Sequence, residues 1–313
     1  MQQAEIPIQL ATCSWINGEP LESISAFDRG LHYGDGFFTT VLVMSGVLCN
    51  WSAHWRRLSL SARRLQFALM DEQQLLQQIS QALSSDRVQT VIGSVLVLKI
   101  MMTRGQAGRG YQIPKQAEMI TLLQLSNAPA EVKPFFEQGG GGEFKAEALS
   151  ISLCLTQASI QPQLAGLKHL SRLESVLARS EVINKGEQEG LMLNALQNVI
   201  SGTQSNLFII KNKQLITPKL DLSGVEGTTR YQLSIMAEEL GYQWLVEDIK
   251  LEHLQQADEL FLTNAIRGIM PVQQLESKQY SVIQTQKIHQ AWLVWQQNNV
   301  LKLEHIENTK DSL

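Results

Sequence analysis

The sequence predicts an α+β protein of two domains, and three observations carry this. The chain has 313 residues, against roughly 100–200 for a typical domain. Its strand-like runs come in consecutive clusters set between helices, without the regular strand–helix alternation of a doubly wound sheet. A breaker-rich stretch over 126–147, holding Asn127, Pro129, Pro134 and the run Gly139–Gly142, divides the pattern. The expected layout is a small domain over 1–125, a linker over 126–147 and a larger domain over 148–313.

The elements follow from local spacing. Residues 5–50 hold short alternating runs with turn signals such as Asn17-Gly18 and Ser45-Gly46, the pattern of strands and hairpins. Trp55, Leu58, Ala62, Leu65 and Leu69 then recur at steps of three and four, one face of a helix. A second helix starts after Asp71 as N-cap, with Leu76, Ile79 and Leu83 on its apolar face. Residues 91–103 and 117–125 read as strands. Beyond the breakers, Leu149, Ile151, Leu153 and Leu155 alternate with Ser150, Ser152 and Cys154, a half-buried strand. A helix over about 170–185 and short strands over 190–217, with a turn at Lys211–Lys213, come next. A helix over about 229–240 closes on Gly241 as a C′ residue. A strand at Glu259–Thr263 and a C-terminal helix over roughly 285–298, with Ile288, Trp292 and Trp295 on one face, complete the chain.

Composition excludes several function classes. Hydrophobic residues make up 44% and charged residues 18%, with a net charge of −4. This is the balance of a folded soluble chain, with no basic footprint for nucleic acid or an anionic membrane. Cys13, Cys49 and Cys154 are scattered, without CxxC or metal spacing, so free thiols in a reducing, cytoplasmic setting are expected. The N-terminal MQQAEIPIQLATCSW has no basic segment followed by an apolar one, so no secretory signal is expected. The longest apolar stretch, Val95–Met102, is broken by Lys99 and falls far short of the ~20 residues of a membrane helix. The histidines form no HExxH or similar pair, and no metal site is expected. The Gly139–Gly142 run lacks a Gly-Lys-Ser/Thr ending and reads as a turn, not a phosphate loop.

Three segments could carry chemistry. Within Ala165–Glu174, Lys168 sits between a strand region and an amphipathic helix. A lysine whose surroundings lower its pKa can form a Schiff base, although by position alone it is an ordinary solvated charge. Gly224-Val225-Glu226-Gly227-Thr228-Thr229-Arg230 stands immediately before a helix. Free N–H groups and the helix dipole there suit a phosphate, and an ordinary cap with a tight turn explains the same residues equally well. In His54-Trp55-Arg56-Arg57-Leu58, a helix arginine could clamp a phosphate or simply face solvent.

Taken in order, these segments form a longer series. It runs Asp28-Arg29-Gly30, Gly34-Asp35-Gly36-Phe37-Phe38-Thr39-Thr40, His54-x-x-Arg57-Leu58, Gly166-Leu167-Lys168, Ser205-Asn206-Leu207-Phe208, Thr217-Pro218, Gly224-Val225-x-Gly227-x-x-Arg230, Asn264-Ala265 and Pro271-Val272. The series, from about residue 15 to about residue 275, resembles the fold-type IV pyridoxal-phosphate enzymes. That group includes the branched-chain and D-amino-acid aminotransferases and the aminodeoxychorismate lyases. Phe38-Thr39-Thr40, the segment from Thr103 through Arg109 to Tyr111, and Gly166-Leu167-Lys168-His169-Leu170-x-Arg172-Leu173-Glu174 look like the lyases.

The resemblance implies a two-domain fold-type IV subunit, a homodimer, and pyridoxal 5′-phosphate between the domains. It implies elimination of pyruvate from 4-amino-4-deoxychorismate to give 4-aminobenzoate, a step towards folate. Alternatives within the resemblance are a D-amino-acid or branched-chain aminotransferase, or a degenerate cofactor-binding paralogue with weak activity. Lys168 would carry the cofactor and then act as acid and base. Arg57 would hold the cofactor phosphate, with the N–H groups of Thr228 and Thr229 beside Gly227, and with Asn264 or Ala265 nearby. Ser205 and Asn206 would also face the cofactor. Arg109, Tyr111 and Thr39 would meet the substrate, because a diacid needs cationic and polar partners. One position departs from the pattern. Ser201 stands where most of the family has a glutamate paired with the pyridine nitrogen, and Ser171 stands where asparagine is common.

Overall fold

The computed structural model describes residues 13–68, 70–89, 95–106, 110–115, 117–132 and 145–303. The chain splits into two compact units, one of Met1–Gly139 with Asn299–Leu313 and one of Gly140–Asn298.

The first unit runs β1 (Cys13–Ile16), α1 (Arg29–Tyr33), β2 (Gly36–Met44), β3 (Val47–Cys49), α2 (Trp51–Arg64), α3 (Glu72–Leu83), α4 (Asp86–Gln89), β4 (Val95–Thr103) and β5 (Ile120–Asn127). Its sheet is antiparallel in the order β1-β5-β4-β2-β3, with the last strand among the described residues, Val300–Lys302, added beside β3. β2 and β4 pair from Gly36 opposite Thr103 to Met44 opposite Val95. The two-residue period of a strand sends Phe37, Thr39 and Val41 to the buried face and leaves Phe38 and Thr40 half-buried on the other. Phe37, Val41, Leu98, Ile100 and Met102 form the core with Leu58 of α2 and Leu75 and Ile79 of α3. The helical stripe read from the sequence is the one that packs: Leu58 and Ala62 are buried, with Trp55 and Leu65 against them, while Leu69 lies outside the described residues. Asp71 caps α3 by accepting the Gln73 N–H at 2.9 Å, an interaction worth about 1 kcal/mol.

One ionic junction ties the unit's loops together. A single oxygen of Asp35, Oδ2, accepts from Nε of Arg29 at 2.8 Å and Nε of Arg104 at 2.9 Å. Both guanidinium groups then reach backbone carbonyls. Arg29 donates to Gly110 and Tyr111 at 3.0 and 3.4 Å, and Arg104 to Gln66 and Leu65 just past α2 at 2.9 and 2.7 Å.

The second unit runs β6 (Leu149–Leu153), α5 (Leu173–Asn184), β7 (Glu189–Leu193), β8 (Val199–Gly202), β9 (Asn206–Lys211), β10 (Gln214–Pro218), α6 (Thr228–Met236), β11 (Gln243–Glu247), α7 (Leu251–Gln255), β12 (Glu259–Asn264), β13 (Gly268–Leu275), β14 (Lys278–Gln279) and α8 (Ile283–Asn298). Its mixed sheet is ordered β11-β10-β9-β12-β13-β6-β7-β8, with β14 against β13. The β10–β11, β13–β6 and β6–β7 pairs are parallel. Leu149, Ile151, Leu191, Leu207, Ile209, Leu260 and Val272 form its core. Buried Glu259 anchors α8, accepting the N–H groups of Gln284 and Thr285 at 2.8 and 2.7 Å. A carboxylate there satisfies helix N-terminal donors and opposes the positive end of the dipole. Trp292 of α8 lies so close to Gly268 that an added Cβ would stand 2.2 Å from its ring.

Several boundaries differ from the sequence reading. β15 (Val300–Lys302) pairs with β3, so the chain end joins the first unit instead of remaining in a domain spanning 148–313. Edge pairing with a distant strand has no local signature. The proposed linker begins too early, because β5 continues to Asn127 and Ala128 still donates to Val95 at 3.2 Å. Residues 133–144 of that segment lie outside the described residues. The helix over 229–240 stops at Met236 and passes through turns to Gly241.

Candidate active site

In the second unit, hydrogen bonds between distant segments assemble one cluster. Gly166 donates to the Gly224 carbonyl at 2.9 Å and accepts from Glu226 N–H at 2.9 Å. The segment carrying Lys168 is therefore stitched to the loop that enters α6. Asn206, the first residue of β9, donates from Nδ2 to the Val225 carbonyl of that loop at 2.8 Å. Gly227 caps α6 with no side-chain hydrogen bond, and the first helical bond is Tyr231 N–H to the Gly227 carbonyl at 3.0 Å. The N–H groups of Thr228 and Thr229 thus have no acceptor within the helix. A Cβ at Gly227 would stand 1.9 Å from Asn206 Oδ1, so the close approach requires glycine. Thr229 Oγ1 donates to the Asn264 carbonyl at 3.0 Å, and Asn264 Oδ1 accepts from Ile266 and Arg267 N–H, folding the turn that contains Ala265. The cluster brings the backbone of the Lys168 segment against the loop that enters the N-terminus of α6.

The residue after Lys168 is braced. Arg172 Nη2 donates to His169 Nε2 at 2.5 Å. Burial first, and then the charges of Arg172 and Lys168, hold the His169 pKa down to about 4 against the opposing pull of Glu174. The ring is therefore a neutral acceptor. Glu174 accepts the Ser159 N–H at 2.8 Å and lies 4.0 Å from Arg172.

Ser201 and Ser205 lie on either side of a turn built on buried Glu189. One Glu189 oxygen accepts from Gly190 N–H and Thr203 N–H at 3.0 Å and from the Thr203 hydroxyl. The other accepts from Gln204 N–H at 3.3 Å and Ser205 Oγ at 3.0 Å. The hydroxyl proton of Ser205, expected at the cofactor, is thus committed to Glu189. Ser201 Oγ donates to the Gly202 carbonyl at 2.8 Å, which leaves its lone pairs to offer.

In the first unit, His54 and Arg57 are one turn apart on α2 and face Thr39 of β2. Thr39 Oγ1 is 2.6 Å from His54 Nδ1 and accepts from Arg57 Nη1 at 3.3 Å. Thr39, expected at the substrate, is wholly buried at 0% exposure, with its hydroxyl shared between these two partners. On the half-buried face of the same sheet, Lys99 lies over the Phe38 ring at 5.2 Å and opposite Thr40. Burial lowers its pKa. Tyr111 is exposed, packs edge-on to Tyr33 and has its carbonyl held by Arg29. Arg109 lies outside the described residues.

The amino-transferase class IV family model matches residues 36–275. The chain belongs to this family. Class IV enzymes use pyridoxal 5′-phosphate. The chain is 32% identical over 258 residues to an aminodeoxychorismate lyase of Vibrio harveyi, covering 82% of this chain and 89% of that protein. It is 27% identical over 269 residues to a putative branched-chain-amino-acid aminotransferase of Methanocaldococcus jannaschii, covering 84% and 88%. The crystal structure of 4-amino-4-deoxychorismate lyase from Pseudomonas aeruginosa superposes with a TM-score of 0.77 at 35% identity, covering 90% of this chain and 97% of that one. The fold-type IV α+β expectation therefore holds.

The class IV cluster fits a phosphorylated aldehyde on its own geometry. A helix N-terminus without a capping side chain accepts an anion, Gly227 leaves no room for a side chain to fill that place, and a lysine stands two residues beyond the stitched Gly166. Sequence reasoning overlooked Glu189, His54 and Lys99. The signal for Glu189 was a charged residue opening the wholly buried strand Glu189–Leu193. Lys99 was legible as a lysine interrupting an apolar strand, and His54 as the neighbour of Arg57 one turn away. Among the described residues no helix is long and apolar enough to cross a membrane.

Proposed function

We propose that the chain is an aminodeoxychorismate lyase that eliminates pyruvate from 4-amino-4-deoxychorismate and releases 4-aminobenzoate, using pyridoxal 5′-phosphate. The observation that carries the reading is the stitching of the Lys168 segment to the open N-terminus of α6 through Gly166, Gly224 and Glu226. The similarity to lyases of Vibrio harveyi and Pseudomonas aeruginosa supports the choice of reaction.

Lys168 Nζ would hold the cofactor and would take the proton from the substrate carbon next to nitrogen. The N–H groups of Thr228 and Thr229 would receive the cofactor phosphate, and Arg57 is proposed as a phosphate-binding cation. Asn206 and Asn264 hold the backbone around those donors. The cofactor would supply an electron sink for the pair left when the C–H bond gives up its proton. Arg109 and Tyr111 are assigned to the substrate's carboxylates. Ser201 has no charge with which to hold a ring nitrogen protonated. That suits an elimination driven by ring aromatisation better than amino transfer, which needs the stronger sink.

The test compares wild type with Ser201→Glu, using a 4-aminobenzoate assay on the aminodeoxychorismate made by the synthase. Wild type is expected to form 4-aminobenzoate, and Ser201→Glu to gain amino transfer to 2-oxo acids. Absence of 4-aminobenzoate from both proteins sinks the lyase reading in favour of a degenerate paralogue. Wild-type amino transfer faster than elimination moves the assignment to the aminotransferases, of which Methanocaldococcus jannaschii has a putative relative.

The assembly is proposed to be a cytoplasmic homodimer. Leu173, Val176, Leu177 and Ile183 leave an exposed apolar stripe along α5, and such a stripe on a soluble chain marks a contact surface. The free thiols Cys13, Cys49 and Cys154 suit a reducing compartment. Leu177→Lys is expected to shift the mass measured by light scattering from two chains to one; an unchanged mass removes this face from the interface.

A further inference from the structure

The buried trio on α2 and β2 has a direction. Thr39 has one hydroxyl proton. Arg57 Nη1 donates to Thr39 Oγ1 at 3.3 Å, and the other hydrogen-bond neighbour of that hydroxyl among the described residues is His54 Nδ1 at 2.6 Å, so we assign the proton to that bond. His54 must then be an acceptor at Nδ1, with its own proton on Nε2. Its surroundings enforce that state. The ring is almost wholly buried, and burial together with the charge of Arg57 keeps the imidazole neutral, well below its usual titration range. A protonated ring would have no acceptor to offer Thr39 and would place a second cation beside Arg57.

We propose that His54 and Thr39 are positioning residues that aim the Arg57 guanidinium at the cofactor phosphate. This rests on the reading of Arg57 as a phosphate-binding cation. An arginine side chain is long and loses much rotamer freedom when it is ordered. Here part of that loss is met before any ligand arrives, because one arm of the guanidinium is held on a hydroxyl that also bonds a neutral, buried ring. A cation ordered in advance binds its anion more tightly than a free one. The charged donor also polarises the Thr39 hydroxyl, which strengthens its bond to the ring.

The trio acts on the phosphate alone, so the measurement is a preference. Full-length protein stripped of cofactor is titrated with pyridoxal 5′-phosphate and, separately, with pyridoxal, which lacks the phosphate, following the imine absorbance. Thr39→Val and His54→Leu are expected to weaken pyridoxal 5′-phosphate about tenfold while changing pyridoxal by less than about twofold. Thr39→Ser keeps the hydroxyl and His54→Asn keeps an acceptor near the Nδ1 position; both are expected to retain the wild-type preference. An equal loss for the two ligands in Thr39→Val, or an unchanged preference, overturns the proposal. Thr39→Val is near-isosteric, so it decides the matter if His54→Leu does not fold. Arg57→Ala separates the underlying reading. If that variant keeps the preference, Arg57 does not read the phosphate and both ideas fail. If it loses the preference while Thr39→Val retains it, only the positioning role fails.

Discussion

Lys168→Ala is expected to abolish 4-aminobenzoate formation and to remove the imine absorbance in the same protein. On the proposed reading the lysine amine both holds the cofactor and moves the proton, so one deletion removes two functions. A loss of at least about 10³-fold in turnover follows, because residues that act as a unit are not replaced by what remains. The rest of the cluster is expected to survive. The Gly166–Gly224 and Gly166–Glu226 bonds are made by backbone atoms, and the His169–Arg172 contact does not involve the lysine amine. Purified variant protein should therefore be folded and colourless. A Lys168→Ala protein that stays yellow and still releases 4-aminobenzoate would overturn the assignment of the lysine.

Asp35→Asn should destabilise the first unit by about 3–5 kcal/mol, the usual effect of removing one partner from a buried ion pair. The side chains of Arg29 and Arg104 are each only 5% exposed, and both depend on one carboxylate oxygen. A neutral amide keeps the shape but leaves two cations facing each other in a poorly solvated place. The loss also loosens the Gly110–Tyr111 backbone, whose carbonyls Arg29 holds. Urea unfolding should show a lower midpoint with an unchanged slope. The contrast is Lys219→Ala. That lysine pairs with Asp248 at 3.4 Å, and both side chains are about half exposed, so its removal should cost less than about 1 kcal/mol. Equal effects from the two variants would contradict this account.

Local patterning carried much of the fold into view. The stripe at Leu58 and Ala62, the Asp71 cap and the alternation through Leu149 and Ile151 are short-range signals, and the structure places them as helix face, cap and strand. The failures share a cause. Strand β15 beside β3, and β5 running on to Asn127, depend on hydrogen-bond partners far away in sequence. The same holds at the site. The segments of Lys168, Gly227 and Asn264, which hydrogen bonds join, could be singled out because each belongs to a short motif. Glu189 was not, because a carboxylate's value lies in the five donors that fold around it from residues 190–205.

What the sequence determined by itself was the family and the two-domain α+β class, since ordered motifs and residue spacing are properties of the chain. It also showed that Ser201 stands without the usual carboxylate. Only the tertiary structure decided what the side chains do with their hydrogen bonds. It turned Thr39 from an expected substrate contact into a buried link between His54 and Arg57, committed the Ser205 proton to Glu189, and joined Gly166 to Gly224 and Glu226. The physical reason is that a hydroxyl has one proton and a buried polar group must find its partner wherever the fold brings one.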